Sequence, residues 1–224
     1  MSAAPHLFVC GTDTDVGKTR IACALLQLCR QAGWSAVGMK AVAAGSILHA
    51  GRRSNEDVLA LAAASSVDAA PDLTNPYLFD PAIAPHIAAA EAGTVISLEH
   101  IEACYRRLGA QAQAVVVEGA GGFLVPLGER VDGGDLAQRL GLPLVLVVGM
   151  RLGCLNHALL SAEAIARRGL TLAGWVANRI SAEMPRCEEN LATLRQRLAA
   201  PLLGVVPYLA DADALTIAAY LRLP

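Results

Sequence analysis

The chain has 224 residues, 54% of them hydrophobic and 17% charged, which excludes a disordered protein and suffices to bury a core without disulfide or metal staples. Eighteen basic side chains against twenty acidic ones leave a formal charge of −2, no footprint for wrapping a nucleic-acid backbone. Mean hydropathy is +0.45, yet the longest apolar run, residues 142–150, is broken by Pro143 and Gly149 and falls far short of the roughly 18 residues a spanning helix needs.

Short apolar runs recur at residues 6–10, 35–39, 114–117, 144–148, 172–177 and 202–206. They lack the alternation of a half-exposed sheet and so predict strands buried on both faces. Amphipathic stretches at 18–31, 98–112, 155–168 and 186–198 carry apolar residues at helical spacing. This alternation predicts an α/β fold of three layers, a mainly parallel sheet with helices on both faces. Gly33, Gly141 and Gly169 each stand between a helical stretch and a strand, as left-handed C-caps. Residues 43–93 hold Pro71, Pro76, Pro81 and Pro85 but few strand signals. They are expected to form an excursion over the sheet, leaving residues 1–224 as a single domain. The six cysteines form no Cys-x-x-Cys pair and are expected to be reduced thiols, mostly in the core. No basic segment followed by an apolar one opens the chain, so the protein is expected to be soluble and cytoplasmic, with no membrane partner.

In open α/β sheets ligands bind beyond the carboxyl ends of the strands. After the first strand comes Gly11-Thr12-Asp13-Thr14-Asp15-Val16-Gly17-Lys18-Thr19, and then a helix. Such a loop offers backbone N–H groups and a helix N-terminus to phosphate, with Lys18 reaching the terminal phosphates and Thr19 ligating magnesium. The spacing departs from the usual pattern, since five residues instead of four separate Gly11 from Gly17. Glu118 follows Val115-Val116-Val117, and a carboxylate there is costly unless a cation or donor partners it. Gly119, Gly121 and Gly122 next to it would let backbone approach a ligand. Asp57 is a second magnesium candidate, although it also suits the start of a helix capped by Ser54 or Asn55. Lys40 ends the second strand at the same edge, where a second cation would suit an acidic acceptor.

Several segments in order, Gly11 to Thr19, Lys40-Ala41-Val42-Ala43-Ala44-Gly45-Ser46, Asn75-Pro76-Tyr77, Pro85-His86, Val117-Glu118-Gly119-Ala120-Gly121-Gly122, Leu152-Gly153-Cys154-Leu155-Asn156-His157 and Val176-Ala177-Asn178, together resemble the dethiobiotin synthetase family of phosphate-loop enzymes. The resemblance implies an ATP- and magnesium-dependent cyclo-ligase of biotin biosynthesis, closing 7,8-diaminononanoate with CO2 to the ureido ring of dethiobiotin. It implies that Lys18 and Lys40 are catalytic, and that Thr19, Asp57 and Glu118 arrange magnesium. ATP would be held by Asp15, Val16, Gly17, Lys18, Thr19 and Arg20, by Asp57 and Glu118 to Gly121 (Gly119 and Ala120 between them), and by Asn178, Arg179, Pro207, Tyr208 and Leu209, with Asn178 reading adenine. Thr14, Lys40, Ala44, Gly153, Cys154 and Asn156 would meet the diamine substrate, the last three across a homodimer interface.

Some positions depart from the family. Ala41 replaces a common proline, and Ala44 replaces a serine that contacts the diamine, so that hydrogen bond is missing or supplied by Ser46. Ala214 stands where some members carry an acidic residue, with Asp211 and Asp213 nearby, and Asn190 stands where a tyrosine is expected. Two alternatives remain at this stage. A nucleotide-switched partitioning ATPase would carry a signature lysine early in the loop, where Thr12, Asp13 and Thr14 stand. A catalytically idle relative serving as a regulator is disfavoured by the intact Lys18, Thr19, Lys40 and Glu118.

Overall fold

A computed structural model describes residues 4–224. From β1 (His6–Gly11) the chain enters α1 (Lys18–Gln31) and returns through β2 (Ala36–Lys40). It then makes an excursion through β3 (Val42–Ala44), β4 (Ile47–His49), β5 (Arg52–Ser54), α2 (Glu56–Ala64), α3 (Pro71–Thr74), β6 (Tyr77–Phe79) and α4 (Pro85–Glu91). Regular alternation resumes with α5 (Leu98–Gly109), β7 (Ala114–Gly122), α6 (Gly133–Leu140), β8 (Leu144–Met150) and α7 (Cys154–Arg167). It ends with β9 (Leu172–Arg179), α8 (Cys187–Arg197), β10 (Leu202–Val206) and α9 (Ala214–Ala218).

The six expected strands form one sheet in the order β10-β9-β8-β1-β7-β2, and every neighbouring pair is parallel. Their unbroken apolar character follows from double cover. Leu7 and Val9 of β1 pack with α1, α2 and α9, while Phe8 and Cys10 pack into the layer built by α5, α6, α7 and α8. Gly33, Gly141 and Gly169 take positive φ values of 87°, 64° and 68°, the left-handed turns expected between helix and strand. Cys10, Cys23, Cys29, Cys104 and Cys154 are buried and Cys187 is half-buried, all as free thiols. Among the described residues no helix is long and apolar enough to cross a membrane.

Two details differ from expectation. β7 runs on to Gly122, so Glu118 lies within the strand and not after it. The excursion contains four strands where few strand signals are visible: β3 pairs in parallel with β6, and β4 and β5 form an antiparallel hairpin. Each of the four spans only three residues, too short for any periodicity to register. What holds them is non-local: β3 and β6 bury Val42 and Phe79 in the core, and the remaining ties are polar. Asn75, for example, donates from Nδ2 to the Lys40 carbonyl at 2.8 Å, tying the excursion to the end of β2.

Trp175 on β9 is fully buried in the α5–α8 layer. Trp175→Ala is expected to destabilise the fold by about 3–5 kcal/mol through lost burial and the residual cavity, as read from the urea midpoint at unchanged m-value.

Candidate active site

The phosphate loop is shaped by what lies behind it. Val16 is fully buried, and a Cβ on Gly149 of β8 would come within 2.8 Å of its Cγ1. Gly17 adopts a left-handed conformation, φ 88°, directly before α1, and a Cβ there would collide with Nδ2 of Asn178. That Nδ2, at the buried end of β9, donates to the Val16 carbonyl at 2.8 Å. Asn178 therefore braces the loop with one Nδ2 proton, which leaves its Oδ1 and the second Nδ2 proton for a ligand. On the outer side Asp13 accepts from the Thr14 amide at 2.8 Å and pairs with Arg151 from the end of β8. Lys18 folds back to donate to the Asp13 carbonyl at 2.9 Å. Burial, with Lys40 nearby, holds the Lys18 ammonium below the usual lysine range, so it gains from an incoming anion.

Opposite the loop, the parallel register of β2 with β7 sets Lys40 beside Glu118. Lys40 Nζ lies 2.7 Å from Glu118 Oε1 and 2.8 Å from Asp57 Oδ2. The Thr19 hydroxyl is 2.8 Å from Asp57 Oδ1 and 2.9 Å from Glu118 Oε1, joining helix α1 to the same cluster. Asp57 reaches it from the first turn of α2, where Asn55 caps the helix by accepting the Asp57 amide at 3.0 Å. It is therefore both a helix-start acid and a member of the site.

The electrostatics follow from burial. Glu118 is 0% exposed, and desolvation raises its carboxyl above the ordinary range against the pull of Lys40. Burial opposes charge on Asp57 and Lys40 as well, but their pairing prevails: Asp57 is held below the usual carboxylate range and Lys40 above the usual lysine range. Glu118 Oε2 is buried without a hydrogen-bond partner, an orphaned acceptor of the kind a bound cation would satisfy. Two carboxylates and one hydroxyl suit magnesium, which takes few protein ligands and completes its shell with water and phosphate oxygens. No cluster of three or more His, Cys, Asp or Glu able to hold a metal occurs among the described residues.

These groups line one cleft of about 1180 Å³, together with Thr14, Asp15, Gly17, Arg20, Ala44, Ala120 and Gly121. Val16 is turned inward and can offer only backbone. Gly119 packs closely on the sheet, since a Cβ there would stand 3.2 Å from the Phe8 ring. The residues expected around the base lie outside the cleft lining. Arg20 donates to the Leu209 carbonyl at 2.5 Å, tying α1 to the segment of Pro207 and the exposed Tyr208, and Arg179 pairs with Glu188. Gly153, Cys154 and Asn156 also lie elsewhere: Gly153 opens α7 with φ 96°, Cys154 is buried and Asn156 is exposed. Ser46 donates its hydroxyl to Asp80 Oδ1 at 2.7 Å, so that proton is already engaged. Asp213 caps α9 through the Thr216 amide, and Asn190 donates to the Arg186 carbonyl. Arg151 and Asp80 escape sequence reasoning altogether, because no motif marks partners so far away along the chain.

A family profile described as an AAA domain matches residues 5–216. The chain is 59% identical over 217 residues to the ATP-dependent dethiobiotin synthetase BioD of Aromatoleum aromaticum, covering 97% of this chain and 96% of the relative. It is 53% identical over 220 residues to the protein of that name from Pseudomonas paraeruginosa, covering 98% and 96%. Among solved structures, the MinD cell division protein of Aquifex aeolicus superposes with a TM-score of 0.55 at 12% identity, over 96% of this chain and 86% of that one. The last likeness establishes the fold alone.

Lys40→Met is expected to cost about 3–5 kcal/mol near pH 7, because it leaves Glu118 buried without its cation. The deficit should shrink on acidification, since Glu118, its pKa raised further in the variant, becomes neutral as pH falls through its folded value, while Asp57, held below the usual carboxylate range, stays charged. Urea denaturation of both proteins across pH 4–8 checks this; a pH-independent difference would contradict the pairing.

Proposed function

The chain belongs to the ATP-dependent dethiobiotin synthetase family, and from that membership we propose that it is itself the ligase, closing 7,8-diaminononanoate and CO2 to dethiobiotin at the expense of ATP. The observation that carries the assignment to this cleft is the convergence of Lys18 and Thr19 with Lys40, Asp57 and Glu118 around one space. One amine captures CO2 as a carbamate, the carbamate oxygen attacks the γ-phosphorus of ATP, and ADP leaves. The second amine then attacks the carbonyl of the mixed anhydride, closing the ureido ring and expelling phosphate. This sequence joins two anions and needs charge neutralisation and alignment more than a protein nucleophile.

Lys18 holds the β- and γ-phosphates, exchanging the Asp13 carbonyl for phosphate oxygens. Lys40 faces the carbamate and its phosphorylated product, oriented by Glu118 and Asp57. Magnesium, held by Thr19, Asp57 and Glu118, would supply neutralisation of the phosphate oxygens. Asn178 Oδ1, Arg179 and Pro207 to Leu209 border the base. The protein acts in the cytoplasm as one domain and as a homodimer, a reading supported by Leu152 beside Gly153, 97% exposed, and by Leu124 and Leu160, both half-exposed. In that dimer Gly153, Cys154 and Asn156 meet the substrate bound by the partner protomer.

ADP release is expected to require diaminononanoate and bicarbonate together, with dethiobiotin identified by mass spectrometry; diamine-independent hydrolysis without ureido product would sink the assignment. Lys40→Ala, checked for folding by circular dichroism, should keep ATP affinity while turnover falls by roughly two to three orders of magnitude. Light scattering should return about twice the 23.2 kDa chain mass, and Leu152→Asp should shift it towards the monomer.

A further inference from the structure

The β4–β5 hairpin places no side chain in either apolar layer, and Ile47, Leu48 and Arg53 on it are exposed. Yet Ser46 and Ile47 line the cleft together with Asp80, Ala82 and Ile83 of the segment that joins β6 to α4, and with Pro85 at the start of α4. These residues form a wall of the cleft beside Ala44. Since apolar packing does not hold the hairpin there, polar contacts must, and on this side they meet at Asp80. Ser46 Oγ donates to Asp80 Oδ1 at 2.7 Å, the Ser46 amide donates to the Asp80 carbonyl at 3.1 Å, and Arg53 pairs with Asp80 Oδ2. The adjacent Gly45 amide lies 3.1 Å from both the Phe79 and Pro81 carbonyls, completing the seam. Asn55, which follows the hairpin, closes this same end through the Gly45 carbonyl at 2.8 Å and caps the helix that carries Asp57.

We propose that Asp80 is a positioning residue for the acceptor: it joins hairpin and β6–α4 segment into one wall and so sets how tightly the diamine is held. The inference rests on the ligase reading above. It also gives Ser46 a role different from direct contact, because its hydroxyl proton serves Asp80 and so acts on the acceptor through the wall. Asp57 is held by its pairing to Lys40 and by the Asn55 cap, neither of which touches Asp80, so a change at Asp80 reaches the nucleotide side only indirectly, through Gly45.

The test is steady-state kinetics of dethiobiotin formation, varying the diamine and ATP separately, in wild type, Asp80→Ala and Ser46→Ala. In Asp80→Ala the KM for the diamine should rise by up to roughly fivefold, the equilibrium equivalent of losing a solvent-exposed ion pair, while the KM for ATP moves by less than about twofold. Ser46→Ala, which cuts one arm only, should show the same asymmetry to a smaller degree, and it secures the result if Asp80→Ala folds poorly. An unchanged diamine KM, or an equal rise in both KM values, overturns the inference while leaving the ligase assignment intact. Wild-type protein that forms no dethiobiotin overturns both.

Discussion

A carboxylate with no exposure to water is the constraint around which the site is organised. Glu118 sits within a doubly covered strand, where an isolated charge would be driven to neutralise. It is tolerated because three elements deliver partners to one point: the end of β2 brings Lys40, the first turn of α1 brings Thr19, and the first turn of α2 brings Asp57. The cost of burying Glu118 thus links the integrity of the sheet edge to the electrostatics of the cleft.

The phosphate loop depends on a second, apolar constraint. Val16 is locked between the loop and β8, and the loop backbone is tied to β9 through Asn178. Loop shape is therefore decided by strands far away in the sequence. Gly149 and Gly17 are needed because each stands where another group has taken the space of a Cβ. Such preorganisation lets backbone amides face an anion without rearrangement at the moment of binding.

The likeness to MinD at 12% identity shows how little this architecture alone says about chemistry. The cleft of this chain is built from what is grafted onto the sheet: Lys40 at a strand end, Asp57 on an excursion helix, and a wall made by a hairpin that adds nothing to the core. Arg20 and Arg151 work in the same manner, each bridging the loop region to a segment far away in the chain.

The six strands and the helices α1, α5, α7 and α8 were legible because double burial removes alternation from a strand and one-sided burial leaves helical periodicity, both local patterns, whereas the shorter α6 and α9 were not. Gly17, Lys18 and Thr19 were legible for a similar reason, since strand, loop and helix are contiguous. Lys40, Asp57 and Glu118 could be nominated from sequence, but only the parallel register of β2 with β7 and the capping of α2 by Asn55 bring them within hydrogen-bonding distance. The three-residue strands, the bracing role of Asn178, the packing role of Gly119 and the Asp80 seam were not legible. Each depends on which distant backbone or ring lies opposite, and that is settled only when the layers close on one another.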